Sequence, residues 1–260
     1  MLSKNKIKFI NRLKKKKERN EKKLFLAEGE KIVNEMIHSS LETATLVAEE
    51  KFINTLTKHE LNKIDEIIPV KSNELQHISS LKTPNKALAV IKQPLFSINT
   101  SEIRNSLTLG IDAINDPGNL GTIVRIADWF GIYNIFCSED TVDVYNPKSV
   151  QATMGAISRV KIHYINLQKI IEQLREDKNF NIYGCFLEGS NIYKENLSPY
   201  GLIILGSESH GVSEPVSKLV YNKLYIPNFS TNKHISSESL NVSIATGIVC
   251  SEFRRRNLED

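Results

Sequence analysis

Two α/β domains in series are the fold class this chain predicts, and three observations predict it. Residues 24–92 alternate short apolar runs with amphipathic segments across short loops. From residue 107 the alternation resumes with near-continuous apolar runs such as LTLGIDAI and GLIILGSE, which suit strands covered on both faces of a parallel sheet. Between the two, QPLFSINTSEIRNS (93–106) has proline, several Ser, Thr and Asn and no period, as a linker does. The expected organisation is therefore a small N-terminal α/β/α sandwich with a basic arm (1–92), a linker (93–106) and a C-terminal parallel-sheet α/β domain (107–260). At 260 residues, with 40% hydrophobic and 25% charged side chains, the chain has the size and composition to bury such cores.

The elements follow in order. Ile7, Phe9, Ile10 and Leu13 put one apolar stripe on a short lysine-rich helix. LFLAEG (24–29) reads as a strand ending in a turn, and EKIVNEMIHSS as a helix with Ile32, Val33, Met36 and Ile37 on one face. ATLVAEE is a strand, KFINTLTKHELNKI (51–64) one helix, EIIPV a strand, SNELQHISSL (72–81) a helix and ALAVIKQ a strand. In the second half LTLGIDAI, YNIFCSE, NIYGCFLEG, GLIILGSE and KLYIP are strands. Helices are expected at 119–131, 147–157, 167–177, about 213–220 and 239–255, the last with a stripe of Leu240, Ile244, Ile248 and Phe253.

Charge is distributed unevenly. Residues 1–23 hold eleven Lys or Arg against two Glu, a net of +9, while the remainder holds 23 basic and 28 acidic side chains. A basic arm on a mildly acidic body suits RNA phosphates, with Lys14, Lys15, Lys16, Lys17 and Arg19 as the expected contacts. The three cysteines are scattered and form no CxxC pair, and the six histidines form no ligand set, so neither a disulfide framework nor a metal site is expected. No apolar run has the length of a membrane span and no apolar signal region follows the basic N-terminus, so a cytoplasmic protein is expected.

Three segments after strands could carry chemistry, because ligands of open parallel sheets sit at the strands' carboxyl ends. In NDPGNLGTIVRIADWFGI (115–132), Asn119 can cap a helix or face a ligand, and Arg125 lies off the apolar stripe of Ile123, Ile126, Ala127 and Phe130. In LGSESHGVSE (205–214), Glu208 sits between Gly206 and Gly211, where burial without a partner would be costly. In the segment 226–247, proline ends a strand and Ser239, Asn241 and Ser243 enter the final helix.

Taken together, NxGxxxR (119–125), LGSExxG (205–211) and Ile226-Pro227 followed by SLNVS (239–243) resemble the three motifs of the SpoU/TrmH family, RNA ribose 2′-O-methyltransferases of the SPOUT superfamily. NPKSVQATMGA (146–156) resembles the family's intervening helix, and FLAEGEKIV resembles the accessory N-terminal RNA-binding domain of many members. The resemblance implies a trefoil knot in the second domain, a homodimer, and S-adenosylmethionine held by Leu205, Gly206, Ser207, Glu208, Gly211, Ile226, Pro227, Ser239, Leu240 and Asn241. It implies Asn119, Arg125, Glu208, Ser239 and Asn241 as catalytic residues, with Arg125 also touching RNA. Since a guanidinium stays protonated, Arg125 is expected to clamp a phosphate and polarise the 2′-oxygen rather than act as a base, with Glu208 orienting it. Two departures from the family pattern are the long glycine-free loop NFSTNKHISSE (228–238) and Gln151, where many members have arginine. Ribosomal RNA is the expected substrate; transfer RNA, or a non-catalytic RNA-binding assembly factor, are the alternatives. A doubly wound oxidoreductase is disfavoured because no GxGxxG follows the first strand of either domain.

Overall fold

The computed structural model describes residues 2–83, 85–230 and 238–256. The first elements are α1 (Lys4–Arg12), α2 (Lys16–Lys22), β1 (Leu24–Glu28), α3 (Glu30–His38), β2 (Thr43–Glu49), α4 (Glu50–Ile53), α5 (Lys58–Leu61), β3 (Ile67–Val70), α6 (Ser72–Leu75) and β4 (Ala87–Lys92). There follow α7 (Thr100–Arg104), β5 (Leu107–Ile111), α8 (Pro117–Trp129), β6 (Asn134–Cys137), α9 (Pro147–Thr153), β7 (Lys161–Tyr164) and α10 (Leu167–Arg175). The last are β8 (Ile182–Asn191), β9 (Gly201–Leu205), α11 (Glu214–Ser217), β10 (Asn222–Tyr225) and α12 (Val242–Arg255). They form two compact units: residues 1–95 with 143–159, and residues 96–142 with 160–260.

In the first unit the strand order is β1-β4-β2-β3, with β4 antiparallel to both β1 and β2 and β2 parallel to β3. The basic segment is built into this unit. Leu2, Ile10 and Leu13 are buried in one cluster with Leu26, Val47, Leu75 and Val90, so the apolar stripe of α1 covers the sheet. The segment 143–159 also packs here, with Tyr145 against Phe25 at 4.8 Å between ring centroids and Val150, Ala156 and Ile157 buried. Gly155, at φ +99°, lies against the Glu35 side chain.

The second unit is a six-stranded, all-parallel sheet of order β10-β8-β9-β5-β6-β7. Every residue of β5 and β9 is buried, as the continuous apolar runs require. The chain runs outward through β5, β6 and β7, then returns on the other side of β5 with β9 as its neighbour. Order therefore reverses between β5 and β9, and Ile111 pairs with Leu205 where both strands end. Such a switch point opens a crevice at the carboxyl edge. Between β8 and β10 the register jumps: Lys223 pairs with Gly184 but Leu224 with Ser190, so residues 185–189 leave the ladder on the β10 side.

Several local expectations are corrected. Residues 51–64 form two short helices, because Thr57 starts a new one: its hydroxyl accepts from the Glu60 N–H, and its own N–H donates to the Glu60 carboxylate at 2.6 Å. The helix expected at 72–81 stops at Leu75. The segment 93–106 contains α7, capped by Asn99, and β7 is a strand the periodicity did not reveal. α12 buries Val242, Thr246, Val249, Cys250 and Phe253, while Leu240 and Ile244 are 48% and 57% exposed. A helix apolar on both sides does not reveal from its period which face turns inward. Among the described residues, no helix is long and apolar enough to cross a membrane, and no three His, Cys, Asp or Glu side chains converge as a metal site.

Candidate active site

The crevice between β5 and β9 is closed by a loop tied at both ends. The Asp112 N–H donates to the Leu205 carbonyl at 2.9 Å, and the Asp112 carboxylate, 4% exposed, accepts from the Ser213 N–H at 2.7 Å. Within the loop Ser207 and Gly211 exchange backbone hydrogen bonds of 3.0 and 2.9 Å, and the Ser207 hydroxyl accepts from the His210 N–H at 3.2 Å. Gly211 sits at φ +65°, and a Cβ at Gly206 would fall inside the backbone of Gly211 and Val212. This turn leaves Glu208 exposed on its outer edge.

Two helix starts face that carboxylate. At α8, Asp116 is the cap: its carboxylate accepts from the Asn119 N–H at 2.8 Å, and Pro117 holds the first helical position. Asn119 is thus inside the helix rather than capping it, and its side chain is free to donate to the Glu208 carboxylate through Nδ2. At α12, Asn241 is the cap. Its Oδ1 accepts from the Ser243 and Ile244 N–H groups at 3.0 and 3.3 Å and from the Ser243 hydroxyl at 2.6 Å. Its Nδ2 donates to Asn119 Oδ1 at 3.0 Å. Three residues drawn from segments 89 and 122 positions apart therefore form one chain, Glu208–Asn119–Asn241.

Arg125 is exposed, and its guanidinium makes no hydrogen bond or ion pair with the described residues. No hydrogen bond or ion pair joins Glu208 to it among the described residues; the carboxylate accepts from Asn119 instead. The stripe of α8 is also displaced from expectation: Leu120, Ile123, Val124 and Ala127 are buried, which turns Arg125 outward.

A cavity of about 1400 Å³ opens beside Glu208. Leu205, Gly206, Ser207, Glu208, Gly211, Ile226, Pro227, Ser239 and Leu240 all line it; Asn241 does not, and is linked to its wall at Glu208 through Asn119. The residues 185–189 form the opposite wall, which the strand reading of NIYGCFLEG did not anticipate. The signal was present in Gly189, at φ +144°, where a Cβ would run into the Lys223 carbonyl, because a glycine inside a strand marks an irregularity. The cavity suits a cationic, partly aromatic molecule: Phe186, Leu205, Ile226 and Val249 supply apolar surface, and Glu188, Glu208 and Glu238 supply carboxylates. Cys185 is on the wall, and burial pushes its thiol up to about 12. Residues 231–237 of the long loop, including His234, lie outside the described residues.

The expected RNA contacts separate. Lys15, Lys16 and Lys17 are exposed. Lys14 is half-buried, donates to the Ser79 carbonyl at 3.1 Å, and has its pKa lowered chiefly by desolvation. Arg19 is corrected outright. It is 2% exposed and donates to Asp143 Oδ2 from Nε at 3.0 Å and from Nη2 at 2.6 Å, and to the Leu13 and Lys14 carbonyls from Nη1. A guanidinium so enclosed joins α2 to the segment 143–159 within the first unit and presents nothing to a phosphate. Other basic side chains of the segment are also internally engaged, Lys6 with Glu66 and Arg12 with Glu18.

Comparison with known proteins agrees with this geometry. Residues 106–251 match the SpoU rRNA methylase family, and residues 4–89 match the MRM3-like substrate-binding domain. The 23S rRNA (guanosine(2553)-2′-O)-methyltransferase RlmP of Bacillus subtilis is 28% identical over 251 residues, 96% of each chain. A chain assigned to the TrmH RNA methyltransferase family, from Porphyromonas gingivalis, superposes with a TM-score of 0.87 at 36% identity, covering 98% of this chain and 99% of that one. An AdoMet-bound rRNA methyltransferase from Sinorhizobium meliloti superposes with a TM-score of 0.85 at 25% identity, covering 100% and 97%.

Proposed function

This chain belongs to the SpoU rRNA methylase family, and from that premise we propose that it methylates a ribose 2′-hydroxyl of ribosomal RNA from S-adenosylmethionine. The observation that carries the proposal is the Glu208–Asn119–Asn241 chain at the mouth of the cavity. The cofactor supplies an electrophilic methyl group on a sulfonium. Around it, the apolar wall takes an aromatic ring, and the Glu188, Glu208 and Glu238 carboxylates favour positive charge. Asn119 and Asn241 each keep a second amide proton to donate to a sugar oxygen. Arg125, with its guanidinium free, would clamp the target phosphate and polarise the 2′-oxygen; it does not accept the proton, which passes to solvent as the methyl group moves to the oxygen and the demethylated thioether leaves. Ser239, on the cavity wall, completes the set.

The first unit grips the RNA, through Lys15, Lys16 and Lys17 with the exposed Lys4, Lys8 and Lys23 beside them in the sequence. Relatives named for guanosines of 23S rRNA make a large-subunit guanosine the first target to test. A trefoil knot in the second unit and a homodimer belong to the same proposal. The exposed apolar side chains Trp129 and Ile244, on α8 and α12, support the dimer. Cytoplasmic work on the ribosome follows from the substrate.

The test is tritiated methyl transfer from S-adenosylmethionine to size-fractionated RNA from a strain lacking the gene, with wild type beside Arg125→Ala. Label in the large ribosomal RNA, lost with the substitution, is expected. Label in transfer RNA would overturn the substrate, and absent cofactor binding by calorimetry would overturn the enzyme.

A further inference from the structure

The chain of amides ending on Glu208 works only if each amide points one way. Asn119 must present its NH2 to the carboxylate and its oxygen to Asn241, and Asn241 must present its NH2 to Asn119. Nothing in Asn119 itself enforces this, since an amide rotated by 180° has the same shape. The Glu208 carboxylate, which only accepts, fixes the Asn119 amide from one end, and the Asn241 cap fixes it from the other. Asn241 Oδ1 is met by three donors, the N–H groups of Ser243 and Ile244 and the Ser243 hydroxyl, and the hydroxyl makes the shortest of the three contacts at 2.6 Å. A reversed amide would set NH2 against the two N–H groups of a helix start, where positive partial charge already accumulates. Ser243 is 6% exposed and does not line the cavity.

We propose that Ser243 is a positioning residue for methyl transfer: its hydroxyl locks the Asn241 amide, so that the Asn241 NH2 is aimed at Asn119 Oδ1 and the Asn119 NH2 in turn at the Glu208 carboxylate. The inference rests on the function proposed above and extends it to a residue that touches neither cavity nor substrate. Two backbone donors remain when the hydroxyl is removed, so Ser243→Ala loosens the lock without abolishing it. The catalytic rate falls about 5- to 10-fold, the equivalent of one neutral hydrogen bond. KM for S-adenosylmethionine stays within about twofold, because the cavity wall is untouched.

The experiment compares wild type, Ser243→Ala and Ser243→Thr, which restores a hydroxyl. In the 15N-labelled, cofactor-free protein the side-chain amide signals of Asn119 and Asn241 shift and broaden in S243A and return in S243T. In turnover kcat falls and recovers in parallel while KM holds. As a check independent of how threonine packs, S243A in an Asn241→Ala background causes no additional loss. Unchanged amide signals in S243A, a rise in KM without loss of kcat, or equal losses in both backgrounds would each overturn the proposal. A wild type that transfers no methyl group overturns the functional reading instead, and the amide signals then decide the lock by themselves.

Discussion

Replacing Arg19 by methionine separates structure from RNA binding inside one basic run. The substitution keeps an unbranched apolar stem, shorter than the arginine, and removes four hydrogen bonds, two to Asp143 and two to the Leu13 and Lys14 carbonyls. Asp143, 7% exposed, still accepts from the Tyr145 N–H at 2.9 Å but no longer faces a cation. An uncompensated buried charge of this kind costs about 3–5 kcal/mol. The assay is hydrogen exchange read by mass spectrometry, which localises the loss of protection to α2, β1 and α9, together with the urea midpoint of the first unit. Arg19→Met combined with Asp143→Leu recovers most of the loss, because the pair itself is worth little against well-packed apolar groups. In contrast, Lys15→Ala/Lys16→Ala/Lys17→Ala leaves stability within about 0.5 kcal/mol and lowers the salt slope of RNA binding by about 0.7–0.9 for each phosphate no longer neutralised. An R19M protein that stays within about 1 kcal/mol of wild type yet binds RNA more weakly would refute this division of roles.

Gly206→Ala drives a Cβ into the Gly211–Val212 backbone, so calorimetry should show cofactor affinity down by more than about tenfold while the first unit keeps its exchange protection. Asp112→Ala removes the acceptor of the Ser213 N–H and should cost about 1.5–3 kcal/mol, visible as faster exchange in residues 205–213; unaltered exchange there would contradict the tether. Hydrogen bonding from Arg255 holds the Glu252 carboxyl down at about 2, below its ordinary 4.5. Its stabilising contribution is therefore complete above pH 4.5 and fades as pH falls towards 2, and Glu252→Gln should flatten the acid limb of a Tm-against-pH profile.

Much of this site was legible before folding. Glu208, Asn119 and Asn241 are polar residues placed after apolar strands, where chemistry collects, and nine of the ten residues expected to hold the cofactor do line one cavity. Gly206 and Gly211 announced a tight turn, and the turn is there. Orientation was not legible. Arg125 and Glu208 are opposite charges and invite pairing, yet the carboxylate goes to an amide, because Asp116 takes over the capping of α8 and frees the Asn119 side chain. Arg19 looks like its lysine neighbours until Asp143, 124 positions away, closes over it. Leu240 and Ile244 look like core until the other face of α12 is seen to be buried.

By itself the sequence determined most of the periods: most of the strands covered on both faces, most of the helices with an apolar side, and three polar segments after strands where a site was expected. Those are local properties, set by the spacing of side chains along one segment. Tertiary structure alone decided partners and rotation. It seated the first lysine-rich helix on a sheet, placed residues 143–159 in the first unit, and set three amide and carboxylate groups in one line. A hydrogen bond or buried ion pair depends on two groups arriving from distant positions with their orientations matched, and no spacing within either segment encodes that meeting.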